Sequence, residues 1–436
     1  MRVLINRGAR HWRWRFFLTL LLLAPLNAVF ANEHELSLGE AVQRTVGNSP
    51  QLSRFQWRLK AIDGQRQTAD QAPAYELGLE AENIAGSNNY SGVDQAEFTV
   101  SLSSVIELGG QREARVALMD SSYTLVQAEK KATALEVLGR VTQNYIRTLA
   151  QQQRLGLAQE AVKLADDALQ LVRRRVARGA APKAEQLRAK AALKRAELAL
   201  ATATAEFESR KFSLATLWGA DKPAFERLSG ELFVFADVPS FQVLFERVSE
   251  TPAIEVYASE QRQRRAEIAL ARSAGSGDLR WSLGVRRLQE SDDTALTAGV
   301  SIPLYSGSRQ RGAVQTAQAE LAVLSVEKRV WLLALKANLF RRWQAYRQSV
   351  STVKTLKNEV LPLLQAAHDQ TRRAYERGLY GYTAWIDARR ELLDTQLALI
   401  NAASRALVNQ ALIEQLTATS LATAMPNQAP AAEAGS

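Results

Sequence analysis

The 436-residue chain has no cysteine, only three histidines and, past its opening segment, no apolar run long enough to cross a membrane as a helix. Each absence excludes something. Without cysteine there is no disulfide, no thiolate zinc or copper site, no thiol nucleophile and no acylated cysteine of the lipoprotein kind. His11, His34 and His368 are scattered too widely to suggest a catalytic or metal centre. Glu33, His34 and Glu35 are adjacent, but three neighbours impose no fixed geometry, and they read as the start of the mature chain. The pair Gly109-Gly110 lacks the third glycine and the spacing of a dinucleotide-binding loop, and reads as a turn. No catalytic residues, cofactor site or metal site follow from the sequence.

Clustered positive charge is also missing. The formal net charge is +10, but the first 31 residues hold five arginines and no acid, so +5 remains for the rest. There lysine and arginine alternate with aspartate and glutamate, a solvated surface without the basic patch of a nucleic-acid binder. The opening itself is well defined. Five arginines up to Arg15 precede an apolar stretch over 16–24, then Pro25 and the small Ala31. The apolar core is about half of the roughly 20 residues a spanning helix needs, so residues 1–31 read as a cleaved secretory signal.

What is present is a repeat. Asn48-Ser49-Pro50 is echoed by Glu250-Thr251-Pro252, Gly110 by Gly307, and Arg178-Gly179 by Arg377-Gly378, at offsets of 202, 197 and 199 residues. The layout is a first repeat over 32–218, a linker over 219–238, a second repeat over 239–418 and a disordered, Ala/Pro/Asn-rich tail over 419–436. Each repeat opens with a short helix (38–47; 241–248) and, past its proline, a helix of about six turns. Two alternating runs follow, 75–81 with 97–103 and 279–285 with 295–301, separated by polar turn residues, and each pair predicts a β-hairpin.

Then comes an exceptionally long helix. Residues 111–178 contain no proline, and at 1.5 Å per residue they span about 100 Å. The counterpart over 309–377 holds only Pro362, which is expected to kink it. Both stop at a glycine and turn into another long helix, near Pro182 and Thr383. In the last helix Leu392, Leu399, Ala406 and Ile413 recur every seven residues, the period of left-handed coiled-coil packing.

The strands have about the length of tilted outer-membrane barrel strands, yet four cannot close a barrel, and an open edge is forbidden in lipid. Two or three copies would close one. The residues alone leave open a soluble coiled-coil protein with a small water-exposed sheet.

The arrangement resembles the TolC-like outer-membrane efflux family over essentially the whole mature chain. Residues 105–112 (Val-Ile-Glu-Leu-Gly-Gly-Gln-Arg) and 81–86 (Ala-Glu-Asn-Ile-Ala-Gly) are similar to the heavy-metal, CzcC-type branch, and Tyr375-Glu376-Arg377-Gly378 with Asp387 and Ala388 to the family's second helical turn. The resemblance implies a mainly α fold with a small β part: duplicated long-helix hairpins forming a trimeric α-barrel tunnel, plus four strands per chain in a shared transmembrane β-barrel. It implies an outer-membrane location with the tunnel in the periplasm. The function implied is that of the passive channel of a tripartite efflux system for heavy-metal cations, with drug efflux, type I secretion or a periplasmic scaffold as alternatives. The partners implied are two further copies of the chain, a periplasmic adaptor, an inner-membrane RND pump and outer-membrane lipid, with no nucleic acid. It makes Glu185, Asp387 and Tyr380 the candidate periplasmic gate. Here Ala384 stands at the position of a second acid, and Tyr380 where an arginine is often found. Arg178, Gly179, Ala180, Arg377, Gly378 and Leu379 are the candidate adaptor-contact turns.

Overall fold

A computed structural model describes residues 35–420 except 85 and 305. The signal segment, Glu33, His34 and the tail from 421 onward lie outside the described residues.

The chain begins with β1 (Glu35–Leu36) and α1 (Leu38–Asn48). Helix α1 is started by Ser37, whose hydroxyl accepts the Glu40 N–H while Glu40 returns a carboxylate to the Ser37 N–H at 2.9 Å. This reciprocal box satisfies two helix-end donors that would otherwise lack partners. Helix α2 (Pro50–Ala69) starts on a proline, as does α6 (Pro252–Ser273), because a first-turn residue needs no N–H partner. The hairpin strands are β2 (Glu76–Glu82) and β3 (Glu97–Glu107), then β5 (Asp278–Leu288) and β6 (Asp293–Ser301). Strand β2 has the seven residues expected, shifted by one, whereas β6 has nine and β3 and β5 have eleven each.

The long helices lie where the sequence indicates. Helix α3 (Gln111–Ala177) has 67 residues and returns through α4 (Lys183–Ala215). After the linker, which contains the short strand β4 (Arg227–Leu228), comes α5 (Phe241–Arg247). The second long helix is less regular than its counterpart. A single turn, α7 (Ser306–Arg309), precedes α8 (Arg311–Thr355), and α9 (Leu361–Glu376) follows. Between α8 and α9 the chain widens into one π-helical turn over Leu356–Val360, just before Pro362. Proline has no N–H to return to the preceding turn, and a widened ladder absorbs that mismatch while helicity continues. Helix α10 (Tyr382–Thr417) closes the fold. Its four heptad positions, Leu392, Leu399, Ala406 and Ile413, are all buried.

The four hairpin strands form one antiparallel sheet in the order β2-β3-β5-β6, so the two repeats join through β3 and β5. Register places Leu77, Leu102, Leu283 and Ala298 side by side, and Leu79, Val100, Val285 and Leu296 in the next row of that face. This face is apolar and exposed, with Leu79 at 77% and Leu283 at 60% exposure. The opposite face is polar, and on it Arg286 makes 2.7 Å contacts to both Glu82 and Glu97. Strands β2 and β6 each leave one edge unpaired. Where β3 turns into α3, a Cβ on Gly109 would strike the carbonyl oxygen of Ser273 at the end of α6, so the junction requires glycine.

Two features were not apparent from the sequence. Strand β1 pairs in parallel with β4, tying the start of the first repeat to the linker. Two tyrosines 201 residues apart pin that linker to the long helices. The Tyr145 hydroxyl donates to the Leu36 carbonyl at 2.9 Å and contacts that of Ser229, and the Tyr346 hydroxyl contacts that of Ala236. Burial pushes both phenols up to about 12, so they remain donors throughout the physiological range.

Candidate functional site

The end of the helices remote from the sheet is formed by two turns built the same way. In the first, Gly179 (φ +72°) gives its N–H to Val176 at 3.0 Å, and Ala180 gives its own to Arg175 at 2.8 Å. In the second, Gly378 (φ +81°) donates to Tyr375 at 3.0 Å, and Leu379 to Ala374 at 2.9 Å. This paired closure satisfies the last carbonyls of α3 and α9 and needs a left-handed residue, which glycine supplies without strain. Arg178, Gly179, Ala180, Arg377, Gly378 and Leu379 are all exposed, Leu379 at 71%.

Beneath the turns lies an aromatic cluster that the sequence reading missed. Tyr375 on α9 stacks on Trp385 at 5.2 Å, and Tyr382 meets Trp385 edge-on at 6.4 Å. Ala168, Leu169 and Val172 of α3 and Ala189 of α4 complete it. Arg175 of the first hairpin lies over the Tyr375 ring at 4.5 Å, contacts the Tyr375 carbonyl and donates to the Ala180 carbonyl at 2.9 Å. The Tyr375 hydroxyl donates to the Glu185 carboxylate at 2.8 Å. Burial first, then the hydrogen bond to Glu185 and its negative charge, push the Tyr375 pKa well above its usual value.

The candidate gate residues therefore separate into two groups. Glu185, half-buried in the first turn of α4, is engaged by Tyr375 within the same chain. Asp387 is exposed and makes no ion pair or hydrogen bond among the described residues, and Tyr380 is 54% exposed. The structure does not bring these three together. One signal could have revealed the cluster: Tyr375, Tyr382 and Trp385 crowd the second turn, whereas the first has Val176, Lys183 and Gln186 at the corresponding places.

Two turns before Tyr375, His368 of α9 is 7% exposed, with Nδ1 3.3 Å from Asp369. It faces Arg372 of the same helix and Arg389 of α10, whose guanidinium donates to the Leu164 carbonyl at 3.1 Å. Burial lowers the His368 pKa, and the two arginines add to the effect against the pull of Asp369. Protons then bind the unfolded chain more readily than the folded one, so stability is full above about pH 6.5 and falls as pH drops below it. Thermal unfolding at pH 7.5 and 5.5 is expected to show a larger loss for the parent than for His368→Gln. An equal loss would place the imidazole in water.

Exposed apolar strands that continue into paired helices of this length are the fold of the TolC-like channels. Residues 41–220 match the model of the family described as outer membrane efflux protein. The chain is 28% identical over 362 residues to the cobalt-zinc-cadmium resistance protein CzcC of Cupriavidus metallidurans, covering 83% of this chain and 85% of that one. It is 26% identical over 276 residues to the nickel-cobalt-cadmium resistance protein NccC of Alcaligenes xylosoxydans xylosoxydans, covering 63% and 61%. Among solved structures it is similar to the transmembrane channel CusC, with a TM-score of 0.72 at 15% identity over 88% of this chain and 92% of that one. The match to the outer membrane efflux protein family thus covers the first repeat, and the likeness to CzcC extends over both repeats. The matched family is one of channel-forming outer-membrane efflux proteins and not of enzymes.

Proposed function

We propose that the chain is the outer-membrane channel of a tripartite efflux system and passively conducts heavy-metal cations to the exterior. The observation that carries the channel reading is the four-stranded sheet, apolar on one face, polar on the other and unpaired at both edges. Lipid tolerates no unpaired backbone, so β2 and β6 must pair with other copies. Three copies give twelve strands, within the even-numbered range of bacterial barrels. The heavy-metal reading is supported by the likeness to CzcC and NccC. The two exposed turns are the surface for a periplasmic adaptor, which couples the channel to an inner-membrane RND pump.

The gate is the end that carries Asp387. Threefold symmetry sets three copies of this unpaired carboxylate around one axis, where they raise local cation concentration and disfavour anions. Ala384 adds no second acid, and Glu185 is held by Tyr375, so Asp387 carries most of the selectivity. Tyr380 borders the same opening. The test is planar-bilayer recording with zinc and cobalt chlorides as current carriers. The parent is expected to prefer cations, and Asp387→Asn to lower that preference and weaken block by multivalent cations from the periplasmic side. Unchanged selectivity and block in Asp387→Asn would make this aspartate an ordinary solvent-facing residue of the second turn of α10.

A further inference from the structure

The two pin tyrosines, Tyr145 and Tyr346, allow the repeats to be compared position by position. In the first repeat the residues one, four and five places after the tyrosine are Ile146, Leu149 and Ala150, and all are buried. They are covered by extended chain, with Leu36, Leu228 and Leu232 in the same core cluster. The covering strand is held through its backbone: Gln152 accepts the Leu228 N–H at 2.8 Å and donates to the Leu228 carbonyl at 3.0 Å. In the second repeat the same places hold Arg347, Val350 and Ser351. They line an open groove of ≈ 690 Å³ with Trp343 and Lys354, bounded on the other side by the linker around Asp237. One repeat has filled this face with a strand; the other has left it open, with the cations Arg347 and Lys354 on the helix side and the single acid Asp237 on the linker side.

We propose that the groove beside Tyr346 receives an extended peptide segment of a partner protein, with acidic side chains directed at Arg347 and Lys354. The first repeat supplies the mode, an extended chain lying along the long helix next to the pin tyrosine. The replacement of Ile146 and Ala150 by Arg347 and Ser351 supplies the chemistry. Neither Arg347 nor Lys354 makes an ion pair or a hydrogen bond among the described residues, and the Arg347 guanidinium lies over the Trp343 ring, 4.8 Å from its centre. Stacking fixes that group and leaves its N–H edge free for a carboxylate. This chain's own tail over 421–436 holds two large apolar side chains, Leu421 and Met425, and one acid, Glu433, and so has no run of acidic residues to set against Arg347 and Lys354.

The experiment uses the full-length protein in mild detergent and a fluorescein-labelled decapeptide of alternating valine and glutamate, followed by anisotropy. Saturable binding is expected, with at least a tenfold loss in the exposed Arg347→Ala/Lys354→Ala double variant and none for the valine–lysine counterpart. Bilayer conductance of the double variant is expected to be unchanged, which separates this inference from the channel reading. No saturable binding up to millimolar peptide, or equal binding by the double variant, overturns it. So does a tenfold gain when the chain is ended at Ser420, because its own tail would then be the occupant. A peptide-free glycan fragment that binds with the same variant dependence would assign the groove to carbohydrate, and a change of oligomeric mass in the double variant would assign it to a second copy. Either result overturns the proposal.

Discussion

Leu283→Arg is expected to destabilise the assembled protein by about 2–4 kcal/mol, because it puts a guanidinium on the lipid side of the sheet near mid-strand. Leu283 lies between Leu102 and Ala298 in register, and the leucines and valines of this row and the next are all exposed in a single chain. Thr297→Arg, in the adjacent row, points to the polar face beside Gly284 and is expected to cost far less. Urea unfolding in micelles, followed with the yield of oligomer, measures both. Leu79→Arg and Leu102→Arg are expected to behave like Leu283→Arg, because register puts all three on one face. Equal tolerance of arginine at 283 and 297 would mean that the sheet does not lie in lipid.

The second large effect is expected at the tip. Trp385 is 3% exposed and is in contact with both Tyr375 and Tyr382. Truncation to alanine removes a buried indole and leaves a cavity, at a cost of about 3–5 kcal/mol. The tip is distant from the sheet, so the loss is expected to appear as local opening rather than global unfolding. Amide exchange in α9 and at the start of α10 is expected to accelerate by roughly 10²–10³-fold, while strands β2, β3, β5 and β6 keep their protection. Trp385→Phe keeps most of the packing and is expected to fall between. Tyr375→Phe removes only the hydrogen bond to Glu185 and retains the stack, so its effect is expected to be about 1 kcal/mol. If Trp385→Ala leaves exchange at the tip unchanged, the cluster is not what holds the two hairpins together.

Much of this architecture was legible in the sequence because it depends on features close together along the chain. The bounds of α3 follow from a proline-free, apolar-periodic stretch that ends at a glycine, and the turns at Gly179 and Gly378 follow from what glycine alone does at φ near +75°. The hairpins follow from period-two alternation, and the irregularity near Leu356–Val360 from the missing N–H of Pro362. The duplication itself is read by setting one half of the sequence over the other.

Tertiary structure decided what depends on residues far apart in the chain. Alternation marks two faces of a strand without saying which is apolar across the whole sheet; that required the register that aligns Leu102 with Leu283. The two-residue strands β1 and β4 carry too little pattern to be seen, and exist because the linker returns beside the start of the first repeat. Tyr375 and Glu185 are 190 positions apart and meet only because both hairpins end at the same level. That contact separated Glu185 from Asp387, two acids grouped as one candidate gate. The same reason explains the groove beside Tyr346: the repeat predicts equal faces, and only packing reveals that one face is covered and the other open. Torsional preference and periodicity act within a few turns and are written locally, whereas the pairing of distant faces is settled by burial, which no local stretch of sequence contains.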